Sequence, residues 1–284
     1  MTRLIDSIAQ IADQFDAVVL DQWGVLHDGT TPYVGAVEAL TGLAASGVRL
    51  AVLSNSGKRA DLNTVRIAEK GFASGLFDSV MTSGEALWQD AAKGKLPGRR
   101  AYVVSAAHRD AAQWALGLDL SFEADLAQSE FVLIMGLPEG DAALSIDTLD
   151  KLRDEIITKK LPVYCSNPDR KSPRAGGALA VSPGALAHAI ADAGGNVTFY
   201  GKPHEPVFRA VETAMRVAPD RCIMVGDSLE HDIAGAANAG WSTLFVRGGI
   251  DAAAFSSGEV QYNLDRLLTT KQMVAPNFSI QTLR

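Results

Sequence analysis

A chain of 284 residues is long for a single core and fits about two domains of roughly 100 to 200 residues each. Its composition, 47% hydrophobic and 21% charged, is that of an ordinary globular protein and argues against both disorder and a disulfide scaffold. The net charge of -7 argues against a nucleic-acid partner, and the few basic pairs, such as Lys58-Arg59 and Arg99-Arg100, read as solvated faces.

In chain order, short β-branched runs alternate with helical patterns. Strands are predicted at 17–20, 49–53, 101–104, 131–135, 162–165, 197–200, 222–225 and 243–246. Helices are predicted at 34–45, 58–70, 84–92, 144–158, 183–193, 206–217 and 230–239. This alternation is the pattern of βα units around a parallel sheet, so the expected class is α/β. Cys165 and Cys222, the two cysteines, border apolar runs and read as reduced, buried side chains. The N-terminal stretch carries acidic residues where a signal peptide is apolar, and no run reaches about 18 apolar residues. The expectation is a cytoplasmic protein with no membrane partner.

Three predicted strands end in polar clusters: Leu20 runs into Asp21, Leu53 into Ser54-Asn55, and Val225 into Gly226-Asp227-Ser228. In open α/β sheets ligands bind beyond the carboxyl ends of the strands, where residues distant in sequence converge. Such residues also end strands as plain turn chemistry, which would suffice for one cluster but not for three plus Lys202. The set matches the needs of metal-assisted phosphoryl transfer to a carboxylate. It offers an ionised nucleophile, a second carboxylate for a hard cation, and hydroxyl, backbone N–H and ammonium groups for the phosphate. Ser54-Asn55-Ser56-Gly57-Lys58 lacks the spacing of a nucleotide P-loop. His108, His188 and His231 share no metal-ligand spacing.

Asp21-Gln22-Trp23-Gly24-Val25, Leu53-Ser54-Asn55, Gly201-Lys202-Pro203 and Gly226-Asp227-Ser228 with Asp232 resemble, in order, the four motifs of the haloacid dehalogenase superfamily. Ser166-Asn167-Pro168-Asp169, Gly177 and Ser182-Pro183-Gly184 look like its class IIA branch, which includes sugar-phosphate, nitrophenyl-phosphate, pyridoxal-phosphate and phosphoglycolate phosphatases. The resemblance implies a Rossmann-like parallel-sheet core at 1–82 and 197–284, with an inserted α/β cap domain at 83–196. It implies that Asp21 is the nucleophile and that Ser54, Asn55 and Lys202 hold the phosphate. Mg2+ would be bound by Asp21, the backbone carbonyl of Trp23 and Asp227, with Asp232 acting behind them on a metal-bound water or on Lys202. Asn167, Asp169 and Arg170 are the candidates for selecting the leaving group. The implied function is a Mg-dependent phosphohydrolase acting on a small phosphorylated metabolite through an aspartyl-phosphate, possible as a homodimer. Residues from about 269 to 284 lack a family match and are expected to form a loosely docked tail.

One position departs from the pattern. Family phosphatases carry an acid/base Asp two residues after the nucleophile, and here Trp23 stands there, whose indole N–H donates but does not titrate usefully. Four readings stay open: His27, Asp28 or a cap residue substitutes for the acid; the substrate has a good leaving group, such as an acyl or aryl phosphate; the enzyme cleaves a bond other than a phosphate ester; or the protein binds a phosphorylated ligand without turning it over.

Overall fold

The computed structural model describes residues 2–138, 144–173 and 179–284. Gly177 of the class IIA pattern lies outside the described residues. In chain order the elements are β1 (Arg3–Leu4), β2 (Ala17–Leu20), α1 (Ala36–Ala45), β3 (Arg49–Ser54), α2 (Ala60–Glu69), β4 (Ser79–Thr82), α3 (Ser83–Ala92), β5 (Arg100–Val104), α4 (His108–Trp114), β6 (Ser121–Glu123), β7 (Phe131–Ile134) and α5 (Ile146–Thr158). They continue with β8 (Val163–Cys165), β9 (Lys171–Pro173), β10 (Leu179–Val181), α6 (Pro183–Asp192), β11 (Val197–Phe199), α7 (Glu205–Met215), β12 (Cys222–Gly226), α8 (Ala234–Asn238), β13 (Ser242–Val246), α9 (Val260–Lys271) and β14 (Phe278–Ile280). The chain divides into two compact units, one of Met1–Ser54, Asp61–Met81 and Lys202–Arg284, the other of Asn55–Ala60 and Thr82–Gly201.

The first unit is built on a seven-stranded sheet in the order β1-β14-β13-β12-β2-β3-β4. Neighbours from β1 through β3 are parallel, with Cys222–Val225 in register with Ala17–Leu20. Strands β2 and β12 are buried along their whole length, which explains why they read as continuous aliphatic runs instead of alternating ones. Val18, Leu20, Leu50, Val52, Ile223 and Val225 face Leu40 and Leu43 of α1. Phe245 packs with Leu229, Ile233, Leu264 and Leu268 in a separate apolar cluster.

The C-terminal residues do not form a loose tail. Phe278–Ile280 is a strand between β1 and β13, and Ile280 and Leu283 are fully buried. Ser279 accepts a hydrogen bond from Arg247 Nη1 at 3.0 Å and donates one to the Phe245 carbonyl at 3.1 Å. A three-residue strand is too short for alternation to betray it. The helix predicted at 230–239 opens instead with a π turn over Leu229–Ile233, in which the Ile233 N–H reaches back to the Ser228 carbonyl.

The second unit holds a parallel sheet in the order β11-β8-β7-β5-β6, and β9 pairs antiparallel with β10. The strand expected at 197–200 belongs to this unit and not to the core, because Val197–Phe199 pairs with Val163–Cys165. Residues 55–60 belong here as well. Gly84 N–H donates to the Ser56 carbonyl at 3.0 Å, Thr82 Oγ1 donates to the Lys58 carbonyl at 2.5 Å, and Arg59 pairs with Glu85 at 2.6 Å. The Arg59 guanidinium also lies 3.7 Å over Trp88, so this basic residue is packed and not on a solvated face. A Cβ at Gly84 would fall 2.1 Å from the Gly57 carbonyl oxygen, which makes glycine the residue that fits there.

Candidate active site

Asp21 follows β2, and its N–H continues the ladder to the Val225 carbonyl at 2.9 Å. Lys202 Nζ lies 2.6 Å from Asp21 Oδ1 and 2.7 Å from Asp232 Oδ1, and its side chain is only 4% exposed. The π turn holds Asp232 for this contact: its Oδ2 accepts the Ser228 N–H at 3.0 Å, leaving Oδ1 for the ammonium. Asp227, just past the end of β12, accepts the Ile250 N–H on Oδ2 at 2.8 Å.

Two glycines give Asp227 its space. A Cβ on Gly24 would sit 1.9 Å from Asp227 Oδ2, and one on Gly249 would sit 2.1 Å from it. Gly24 also has φ +79°, a conformation that side chains rarely adopt. Gly249 and Ile250 were not singled out from the sequence, since a backbone donor and a missing side chain carry no chemical signature.

Burial raises the Asp21 carboxyl to about 6; Lys202 opposes the shift and Asp232 adds to it. Asp227 is pushed up to about 8, first by burial and then by repulsion from Asp21 and Asp232. Burial disfavours the charge of Lys202, but its two carboxylate neighbours outweigh that and hold it above its ordinary value. The Asp21–Lys202 pair is therefore ionised at neutral pH.

Asp21, Asp227 and Asp232 offer carboxylate oxygens within 4.8 Å of one another. Among the described residues Lys202 pairs with Asp21 and Asp232 in this largely buried group of three, and the donors are all hard oxygens, so the residues present fit a small divalent cation.

The loop after Asp21 presents Trp23 with 52% of its surface exposed. Its indole lies against Gly29, where a Cβ would meet ring carbon Cη2 at 2.2 Å, and His27 packs edge-on with centroids 5.8 Å apart. His27 is 5% exposed, its Nδ1 accepts the Gly29 N–H at 3.0 Å, and burial lowers its pKa. Asp28 Oδ1 accepts the Thr30 and Thr31 N–H groups at 2.8 Å each, which keeps its carboxyl below the usual range.

Ser54 ends β3, the neighbour of β2, on the same carboxyl edge as Asp21. Asn55 belongs to the second unit, where its Nδ2 donates to Asp169 Oδ1 at 2.8 Å. Asp169 N–H in turn donates to Asn167 Oδ1 at 2.9 Å. Arg170 turns elsewhere, 3.5 Å from Asp192, with more than half of its side chain exposed. The structure thus gathers Asp21, Asp227, Asp232 and Lys202 into one cluster and Asn55, Asn167 and Asp169 into another. Cys165 and Cys222 are free and buried, with thiols raised by burial to about 12, which makes them unreactive. A groove of about 830 Å³, lined by Ile8, Ala12, Phe15, Leu43 and Arg49 among others, opens at the amino end of β2 and β3, away from the acidic cluster. Among the described residues no helix is long and apolar enough to cross a membrane.

A parallel α/β sheet with an ion-paired carboxylate beyond one strand and two more carboxylates beyond another is a Rossmann-like fold with an acidic site at the carboxyl ends of its strands. A family model described as haloacid dehalogenase-like hydrolase matches residues 18–118, and a HAD-hydrolase-like model matches residues 199–269. The chain belongs to the haloacid dehalogenase superfamily, in its class IIA branch. It is 26% identical to human glycerol-3-phosphate phosphatase over 97% of this chain and 90% of that protein. Mouse chronophin is also 26% identical, over 87% of this chain and 85% of its own length. A haloacid dehalogenase-like hydrolase from Brucella suis 1330 superposes with a TM-score of 0.78 at 27% identity, covering 99% of this chain and 100% of its own.

Proposed function

We propose that this hydrolase is a phosphatase, removing the phosphoryl group of a small phosphorylated metabolite onto Asp21 and then onto water. The observation that carries the reading is the Lys202 ammonium held between Asp21 and Asp232 at 2.6 and 2.7 Å, with Asp227 in the same acidic cluster. The human relative's name as a glycerol-3-phosphate phosphatase supports the substrate class.

Asp21 attacks phosphorus through a carboxylate oxygen, and Lys202 neutralises the incoming phosphate while keeping Asp21 ionised. Ser54 and Asn55 supply further hydrogen bonds to the phosphoryl oxygens. Asp232 holds Lys202 in place, and its second oxygen is tied to the backbone of its own turn. Asp21, Asp227 and the backbone carbonyl of Trp23 would hold Mg2+, which when bound would supply positive charge against the phosphoryl oxygens. Asn167, Asp169 and Arg170 are proposed to select the leaving group; the bond between Asp169 and Asn55 is what supports including the first two. We also propose a homodimer, supported by the family resemblance alone.

Phosphate release from a panel of sugar, glycerol and aryl phosphates tests the reading. Turnover should require both a divalent cation and Asp21, and should be lost in Asp21→Asn. Turnover that survives chelation, or that survives in Asp21→Asn, overturns the proposal.

A further inference from the structure

Helix α6 grips the turn that follows β8 at three points. Ser182 N–H, at the helix start, donates to the Arg170 carbonyl at 3.1 Å. Gly184 lets the two backbones approach: a Cβ there would fall 2.2 Å from the Pro168 carbonyl oxygen and 2.5 Å from that of Asp169. His188, one turn further along the same helix face, brings Nε2 to 3.1 Å from the Pro168 carbonyl oxygen. A carbonyl only accepts, so Nε2 carries the proton. The imidazole is stacked on Phe199 of β11, with centroids 4.4 Å apart and planes 27° apart, which sets its orientation.

The gripped turn lies against the chain neighbours of two residues proposed to hold the phosphate. Asn55, which follows Ser54, donates through Nδ2 to Asp169 Oδ1 at 2.8 Å. Gly201, which precedes Lys202, lies so close that a Cβ would meet Pro168 Cδ at 2.7 Å and Asn55 Oδ1 at 2.9 Å. Asn167 Oδ1 accepts the Asp169 N–H at 2.9 Å, which fixes the amide with Nδ2 as a donor. One turn thus carries a donor from Asn167 and an acceptor from Asp169, a pairing that suits hydroxyl groups, which both donate and accept. The Asp169 charge disfavours a second anion beside it.

We infer, resting on the phosphatase reading, that His188 is a positioning residue for substrate selection. By holding the Pro168 carbonyl it fixes the turn that presents Asn167 and Asp169 to a neutral, hydroxylated leaving group. Pro168 is buried, so without that donor its carbonyl is left unpaired, and the peptide turns toward another partner and carries Asp169 with it. The loss falls on binding of the leaving group and not on attack at phosphorus.

The test is steady-state kinetics of the full chain with Mg2+ on glycerol and sugar phosphates and on nitrophenyl phosphate, whose ring offers no further hydroxyl. His188→Leu should raise KM for the best hydroxylated substrate by about fivefold to tenfold, the equivalent of one hydrogen bond, while kcat and nitrophenyl turnover stay within about twofold of the wild type. His188→Asn keeps an amide but is too short to reach the carbonyl, and should behave like His188→Leu. His188→Gln, long enough to place its amide nitrogen near that of Nε2, should restore most of the wild-type KM. The contrast between Asn and Gln decides the matter where Leu disturbs folding. Asp169→Ala should raise KM for the same substrate and add little to His188→Leu, because both act on one turn.

A KM unchanged in His188→Leu and His188→Asn, a loss shared equally by both kinds of substrate, or no recovery in His188→Gln overturns the role of His188 and leaves the phosphatase reading intact. Nitrophenyl turnover with none of any hydroxylated phosphate does the same. No Asp21-dependent phosphate release from any substrate overturns both.

Discussion

Trp23 rests its indole on Gly29, so closely that a β-carbon at residue 29 would lie 2.2 Å from ring carbon Cη2. Gly29 also has φ +97°, so a side chain there is strained before it meets the ring. Gly29→Ala should destabilise the protein by about 1 to 3 kcal/mol and displace Trp23. Denaturant midpoints and tryptophan emission would check this, and an unchanged midpoint with unchanged emission would refute the packing described here.

Lys202 places one ammonium between Asp21 and Asp232. Lys202→Met leaves buried carboxylates without that charge, a change that typically costs about 3 to 5 kcal/mol. Because a divalent cation supplies the missing positive charge, the variant should gain more thermal stability from Mg2+ than the wild type does. Equal gains in the two proteins would mean that the cation binds away from this cluster.

The Asp227 carboxyl, at about 8 in the folded protein, contrasts with about 3.9 in an unfolded chain. Between those values the folded state carries the extra proton, so metal-free stability falls as pH rises through that window and is lowest above it. Asp21, raised to about 6, contributes with the same sign over a narrower range. A divalent cation replaces those protons. The melting-temperature gain on adding Mg2+ should therefore be larger at about pH 9 than at about pH 5. A gain that is the same at both, or larger at the lower pH, contradicts the assignment.

Asn55 and Asp169 lie 114 positions apart in sequence and share a 2.8 Å hydrogen bond. In a double-mutant cycle, Asn55→Ala and Asp169→Ala should couple by about 0.5 to 1.5 kcal/mol in unfolding free energy. Additive losses would show that the bond contributes nothing in solution.

The acidic cluster was legible because Asp21 and Asp227 each end an uninterrupted aliphatic run, and continuous runs mark strands buried on both faces. Lys202 stood out beside the strand-end clusters as the ammonium a phosphate needs, whereas Asp232 was legible only through the family pattern. Their approach depends on a π turn that no periodicity announces. The transfer of residues 55–60 to the second unit was not legible either, because it rests on tertiary contacts from Arg59 to Glu85 and Trp88. Gly24 was visible as part of a motif, but its reason for being glycine, the carboxylate oxygen beside it, appears only in three dimensions.

The strand Phe278–Ile280 lies between β1 and β13, so it bridges residues from the two far ends of the sequence. Arg3 and Leu4 pair with Phe278 and Ser279, and with no other strand. Strand β1 therefore has no sheet partner until residues 278–280 are in place. The order of strand addition thus runs against the order of translation at this edge, and such long-range closure is slow. Until then β13 presents an unpaired rim, a site for pairing with other chains, which Phe278–Ile280 closes.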